Sequence, residues 1–231
     1  MTIKMVHLPA RATAYLATAM GVAHAVLYLW AYWIMWQAPA ADASAAELAA
    51  FYGGGHGAWV LAVGVYLLPL AAIAFVWFTV TVRMWVAVHG RPEHFLFSNL
   101  QVVSGILYAA LLLVAAAAFS VNSALAELSS EPVDPSRFAG FPQFGLVVTV
   151  LLGSRMAGIF VLTTASIGRH TGLIPAWFVW PSYLVGLLLL LMATFNSAFV
   201  LLFPTWMMAL VILLILRVRH AAPQTPARQP G

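Results

Sequence analysis

The sequence predicts an all-α fold: a polytopic transmembrane helix bundle with six spans and both termini cytoplasmic. Three observations lead there. First, 64% of the 231 residues are hydrophobic and only 7% are charged, at a mean hydropathy of +0.97. A water-soluble domain carries about a quarter charged residues, so too little polar surface exists here to cover a water-facing globule, and lipid is the expected solvent. Second, apolar runs of bilayer length recur along the chain between polar connections. Third, the basic residues collect on alternate connections, the pattern that orients membrane proteins.

The first span is expected at 14–36, after Lys4 and Arg11. Ala38-Pro39-Ala40 has the look of a signal cleavage site, but the run exceeds the 7–15 residues of a secretory signal core, which favours a retained helix. In the connection 38–57, Ser44 and Glu47 have capping-box spacing and start a short helix that Gly53, Gly54, Gly55 and Gly57 end. Leu48, Phe51 and Tyr52 would lie at headgroup level, or the segment is a plain polar connector. The second span covers 59–82, where Pro69 lacks an amide hydrogen and frees the carbonyl of Val65. Arg83, His89, Arg91, Glu93 and His94 form the next connection, and the third span follows at 97–121.

Residues 122–144 read as a loop holding Glu127, Glu131, Asp134 and Arg137, punctuated by Pro132, Pro135 and Pro142. The fourth span, 146–167, carries Arg155 near its middle and ends at Gly168-Arg169-His170. From 176 to 216 the chain is apolar and uncharged for 41 residues. A single helix of that length would measure about 60 Å, twice the hydrocarbon thickness. Two antiparallel spans fit instead, 176–195 and 199–216, reversing near Thr194-Phe195-Asn196-Ser197, with Pro204 in the first turns of the sixth. Residues 221–231 read as a disordered Pro-rich tail, so 1–220 form one membrane domain.

Charge bias tests the count. Six spans place Lys4, Arg11, Arg83, Arg91, Arg169, Arg217, Arg219 and Arg228 inside and leave only Arg137 outside; five would put Arg217 and Arg219 on the wrong side. Trp33, Trp36 and Trp59 then mark the outer interface, and Trp177 and Trp180 the inner one. The same scatter of basic residues argues against a nucleic-acid partner despite the net charge of +4. With no cysteine, disulfides, thiolate nucleophiles and cysteine-ligated clusters are excluded together. Arginine nearly replaces lysine and alanine is abundant, which suggests a GC-rich bacterial genome and hence the inner (plasma) membrane.

Arg155 is the residue the other helices must accommodate, because an ionisable side chain at mid-membrane costs several kcal/mol without partners. Counting along alternating spans puts His24, Tyr66, Ser104 and Tyr108 near its depth, with Tyr183 closer to the cytoplasm. Ser154 and Gly158 give small-xxx-small spacing for close helix approach. All six acids, Asp42, Glu47, Glu93, Glu127, Glu131 and Asp134, lie in connections or at helix ends. Arg155 is therefore expected either to use neutral acceptors, including tyrosine oxygens and the Val65 carbonyl, or to bind an anion such as a fatty-acid carboxylate or lipid phosphate. Arg155, His24, Tyr66, Tyr108 and Ser154 form the candidate ligand set.

No cofactor or metal is expected. His24 has no second histidine at its level to complete a haem, and His89 and His94 are five residues apart rather than four. GxSxG, HExxH and P-loop motifs are absent, as is a membrane-embedded acid for ion-coupled transport. SAAEL at Ser44 and SALAEL at Ser123 are too alanine-biased to establish a repeat.

The runs ASAAELAAFYGGGHGAWVLAVGVYLLPLAAIAFVWFTVTVR, GSRMAGIFVLTTASIGRHTGLIPAWFVW and FPTWMMALVILLIL resemble a family of small, alanine-rich, multi-span bacterial membrane proteins with no assigned activity. The resemblance implies a multi-span membrane protein in which Arg155 belongs to the family pattern; it implies no substrate. The residues themselves favour a non-enzymatic accessory or scaffold component that contacts membrane lipid or other membrane-protein subunits. The alternative is a small carrier of a lipophilic anion held by Arg155, and a third reading is an intramembrane enzyme built on His24 and the tyrosines.

Overall fold

Every secondary-structure element among the described residues is helical. The computed structural model describes residues 10–40, 42–89, 95–129, 134–138, 140–192 and 196–220. Arg91, Glu93, His94, the reversal residues 193–195 and the tail 221–231 lie outside them.

Four long rods form the frame. The first is α1 (Ala10–Trp36). The second is α3 (Gly55–Ala62), a π-helical turn at Val63–Leu67 and α4 (Leu68–His89), run together; a short α2 (Ala45–Gly53) precedes it. The third is α5 (Phe95–Leu128), and the fourth joins α6 (Gly140–Val147), a second π turn at Val148–Gly153 and α7 (Ser154–Thr171). A hairpin completes the bundle: α8 (Ala176–Leu191), a 3-10 turn at Ser197–Leu201 and α9 (Leu202–His220). Five stretches are long and apolar enough to cross a membrane: Ala12–Trp36, Gly55–Ala87, Phe95–Leu128, Ser136–Thr171 and Ala198–Arg217; the apolar helix Ala176–Leu191 is shorter.

The capping box forms as the spacing requires. Ser44 Oγ accepts from the Glu47 amide at 3.3 Å, and the Glu47 carboxylate accepts from the Ser44 amide at 2.8 Å. Leu48 and Tyr52 then turn inward and join the core, so α2 is packed against the bundle rather than being a plain polar connector. α5 continues to Leu128, which makes residues 122–128 helix instead of loop. It can do so because Asn122 and Ser123 stay buried against neighbouring helices, extending the packed face by two turns. α7 ends where Gly172 takes a left-handed conformation (φ 72°), with the Ile174 amide donating back to Gly168 O at 3.2 Å. Arg169 and His170 in that last turn complement the helix dipole.

α1 packs against α4 and α9, α5 against α4 and α7, and α7 against α8. The α7–α8 contact is closest at Gly158, where a Cβ would stand 2.8 Å from Gly186 O and 2.9 Å from Leu190 N. Neither backbone atom can yield, so the small-residue spacing read from the sequence does set a helix contact.

This contact also fixes the height of the hairpin. Leu190 lies level with Gly158, one residue before α8 ends at Leu191, so the expected helix 176–195 stops early. Beyond Gly158 the α6–α7 rod runs back to Gly140, roughly 25 Å further at helical rise. α8 itself is only about 24 Å long, short of a hydrocarbon core of about 30 Å. The 3-10 turn Ser197–Leu201 packs beside the second π turn, so the described part of the hairpin stops short of the ends of the frame at Trp36 and Gly140. A chamber opens beyond it.

Candidate functional site

Arg155 follows directly on the second π turn and is half-buried. Its guanidinium donates to the carbonyl of Leu151, one turn earlier in its own helix, the direction in which helical side chains lean. Among the described residues it has no other hydrogen bond and no ion pair. Ser154 is buried and donates to Val150 O in the same manner, so it presents no free hydroxyl. Tyr66 is 62% exposed, about a quarter turn around the rod from the buried Val63 and Leu67. It is no partner of Arg155, and neither is the Val65 carbonyl. Arg155→Gln should accordingly change stability by less than about 1 kcal/mol, because the amide can replace the single intrahelical bond. Unfolding in mild detergent would check it, and a loss above about 3 kcal/mol would mean that the guanidinium has a second partner.

His24 and Tyr108, expected beside Arg155, belong to a separate cluster. His24 is fully buried, and its Nδ1 lies 2.9 Å from the carbonyl of Ala71 on α4. A carbonyl only accepts, so Nδ1 carries the proton and Nε2 is left to accept from the Tyr108 hydroxyl at 3.5 Å. Phe75 at 5.0 Å, Tyr28 at 5.8 Å and Phe203 at 6.3 Å close the ring shell around the imidazole. The cluster joins α1, α4, α5 and α9; Tyr28 at its edge lines the chamber described next, whereas His24 and Tyr108 do not. It is a polar tie between helices.

The chamber beyond the hairpin is the feature the sequence did not announce. It measures about 580 Å³ and is half open. One wall is the C-terminal half of α1, with Tyr28, Ala31, Tyr32, Met35 and Trp36. Leu68 of α4 with Leu112 and Phe119 of α5 form the back. Pro142, Gln143 and Leu146 of α6, with Thr149 of the π turn, form the opposite wall. Val200, at the turn before α9, closes the bottom, and residues 38–40 lie at the rim.

The lining is mostly apolar and carries no charged side chain. Its side-chain hydrogen-bonding groups belong to Tyr28, Tyr32, Trp36, Gln143 and Thr149. The Thr149 hydroxyl is already bound to Gly145 O at 2.9 Å, whereas Gln143 Oε1 takes no hydrogen bond from a described residue. That oxygen is covered too closely for a water to touch it, so it lies behind the chamber wall rather than on it. One turn beyond Phe119, on the side of α5 that meets α6 at Gly145, the Asn122 carboxamide is also buried and unpartnered. In the sequence only Pro142 marked this wall; the rest depends on where the hairpin stops.

No protein-family profile, curated protein or solved structure matches the chain.

Proposed function

We propose that the chain is a non-enzymatic integral membrane protein, an accessory component of a bacterial inner membrane that holds one lipid molecule in the chamber above its hairpin. The observation that carries this reading is the chamber itself: a large, mostly apolar void, walled by four rods and floored by the turn before α9. Ligand sites are typically of this size and character, apolar with a few placed polar groups. An acyl chain fills the apolar part, with Tyr28, Tyr32 and Trp36 as the polar groups within its reach. Because no cation lines the chamber and Arg155 lies outside it, the lipid's buried head is uncharged. Purification in mild detergent followed by native mass spectrometry tests the reading: one lipid per protein, with an uncharged head, is the expected result. A bare monomer would overturn it.

The chain starts and ends on the cytoplasmic side. α1, the α3–α4 rod, α5 and the α6–α7 rod cross fully, while α8 and α9 enter from the cytoplasm and return to it. Charge bias supports the placement of both termini and is equally satisfied whether or not the hairpin emerges outside, since Arg169, Arg217 and Arg219 stay inside either way. The cysteine-free sequence makes a direct test simple. A single cysteine at exposed Ala198, near the apex, is expected to react with an impermeant maleimide at least about tenfold more slowly than one at exposed Ala46 in α2, because the thiol must ionise and meet water to react. Equal rates would mean that the hairpin reaches the outer surface.

A further inference from the structure

A second cavity lies on the other side of α1. Its lining residues on that helix are Trp30, Trp33, Ile34 and Gln37, about half a turn around from the Tyr28, Ala31, Tyr32 and Met35 that face the chamber. α2 contributes Phe51, and α3 contributes His56 and Trp59. The volume is about 240 Å³, below the usual range for a whole drug-sized ligand and suited to a single headgroup.

Five of its seven lining residues are aromatic. Trp30 and Trp59 approach across two helices to 6.4 Å between ring centroids, and Phe51 stacks on His56 at 5.2 Å in the elbow between α2 and α3. Tryptophans that only anchor a helix at the membrane surface stand singly on its outer face. Here rings from three consecutive elements border one void. α2 holds its place through the Ser44–Glu47 capping box and the burial of Leu48 and Tyr52, so the third wall is built by packing.

Electrostatics give the sign of the guest. No lysine or arginine lines the cavity. Glu47 stands one turn before Phe51 on α2, and the Ser44 backbone and hydroxyl bonds hold its carboxyl below the ordinary carboxylate range, so it stays ionised. On the same side of the bundle the described connections carry Asp42, Glu127 and Asp134 against Arg137 alone. The Gln37 amide donates to Trp33 O at 3.2 Å, and its acceptor oxygen takes no bond from a described residue. π faces, nearby carboxylates and a free acceptor all favour a cation, and one bulky and poorly hydrated enough to leave water for an aromatic surface.

We propose that the pocket bordered by Trp30, Trp33, Phe51 and Trp59 binds a quaternary ammonium group. The inference is independent of the lipid chamber, with which the pocket shares no lining residue. Saturation-transfer NMR on the protein in a choline-free detergent tests it, with choline and its uncharged isostere 3,3-dimethylbutan-1-ol as probes. Choline is expected to bind saturably, at least about tenfold more tightly than the isostere. Trp59→Leu and, separately, Trp33→Leu should weaken choline about tenfold, whereas Trp177→Leu, an exposed tryptophan elsewhere, should not. Two variants guard against one that fails to fold, and circular dichroism verifies both. Equal binding of the two probes, or choline binding untouched in a folded Trp33 or Trp59 variant, would overturn the proposal. In nanodiscs of mixed phosphatidylcholine and phosphatidylethanolamine, choline displaced by the phosphatidylcholine would assign the site to a lipid headgroup. Undiminished choline binding there would assign it to a free quaternary amine.

Discussion

The double variant Ala31→Phe, Thr149→Trp is expected to retain at least about tenfold less co-purified lipid than the wild type, a loss of roughly 1.4 kcal/mol or more in binding. The two positions face each other across the chamber, one on α1 and one on the second π turn. Each new side chain has the void as its low-energy direction, so the volume is taken from the ligand first. Thr149 gives up only its bond to Gly145 O, which is an extra bond to a helix carbonyl. Ala31 is 1% exposed, so some overpacking is unavoidable and about 1–3 kcal/mol of stability goes with it. Gln143→Leu is the control: its amide oxygen is buried behind the wall, so the substitution keeps the chamber's volume and should leave lipid occupancy within about twofold of the wild type. Native mass spectra of the three proteins, purified identically, decide the matter. Wild-type lipid occupancy in the folded double variant would show that the lipid sits elsewhere.

What could be read from the sequence was whatever depends on one dimension. Apolar run length located the rods, Ser44 and Glu47 announced α2, and Gly158 marked a close helix contact. Depth could be counted as well, and His24, Tyr66, Tyr108 and Arg155 do lie in the middle parts of their helices. Azimuth could not. Tyr66 turns outward because it sits within a π turn whose buried positions are Val63 and Leu67. No residue pattern disclosed that turn, although Pro69 follows it by two positions. Arg155 was expected to reach across to other helices, yet its side chain lies along its own, where the Leu151 carbonyl is nearer than any tyrosine oxygen. The chamber was hidden for a different reason. Its walls come from residues as far apart as Tyr28 and Val200, and it exists only because the hairpin stops beside the second π turn while the rods around it continue. A boundary error of four residues at the end of α8 was enough to erase it.

His24→Ala should be the most destabilising single substitution away from the close helix contacts, at about 3 kcal/mol. The imidazole is fully buried where α1, α4, α5 and α9 meet, and truncation leaves a cavity against Phe75, Tyr28, Tyr108 and Phe203. The hydrogen bond is the smaller part. Ala71 O sits inside α4 and keeps its helical donor, so losing the Nδ1 bond removes an interhelical tie without orphaning the carbonyl; such ties average about 0.6 kcal/mol in membrane bundles. His24→Leu isolates that part, because leucine refills most of the space and forfeits only the polar contacts; it should cost about 1 kcal/mol. Tyr108→Phe should cost less still, since its hydroxyl reaches Nε2 only at 3.5 Å. The order of denaturant midpoints in micelles, wild type above Tyr108→Phe, then His24→Leu, then His24→Ala, tests packing against polarity as the source of the cluster's strength. If His24→Leu proved as damaging as His24→Ala, the imidazole's bonds would be the main tie, and a titratable group would hold four helices together.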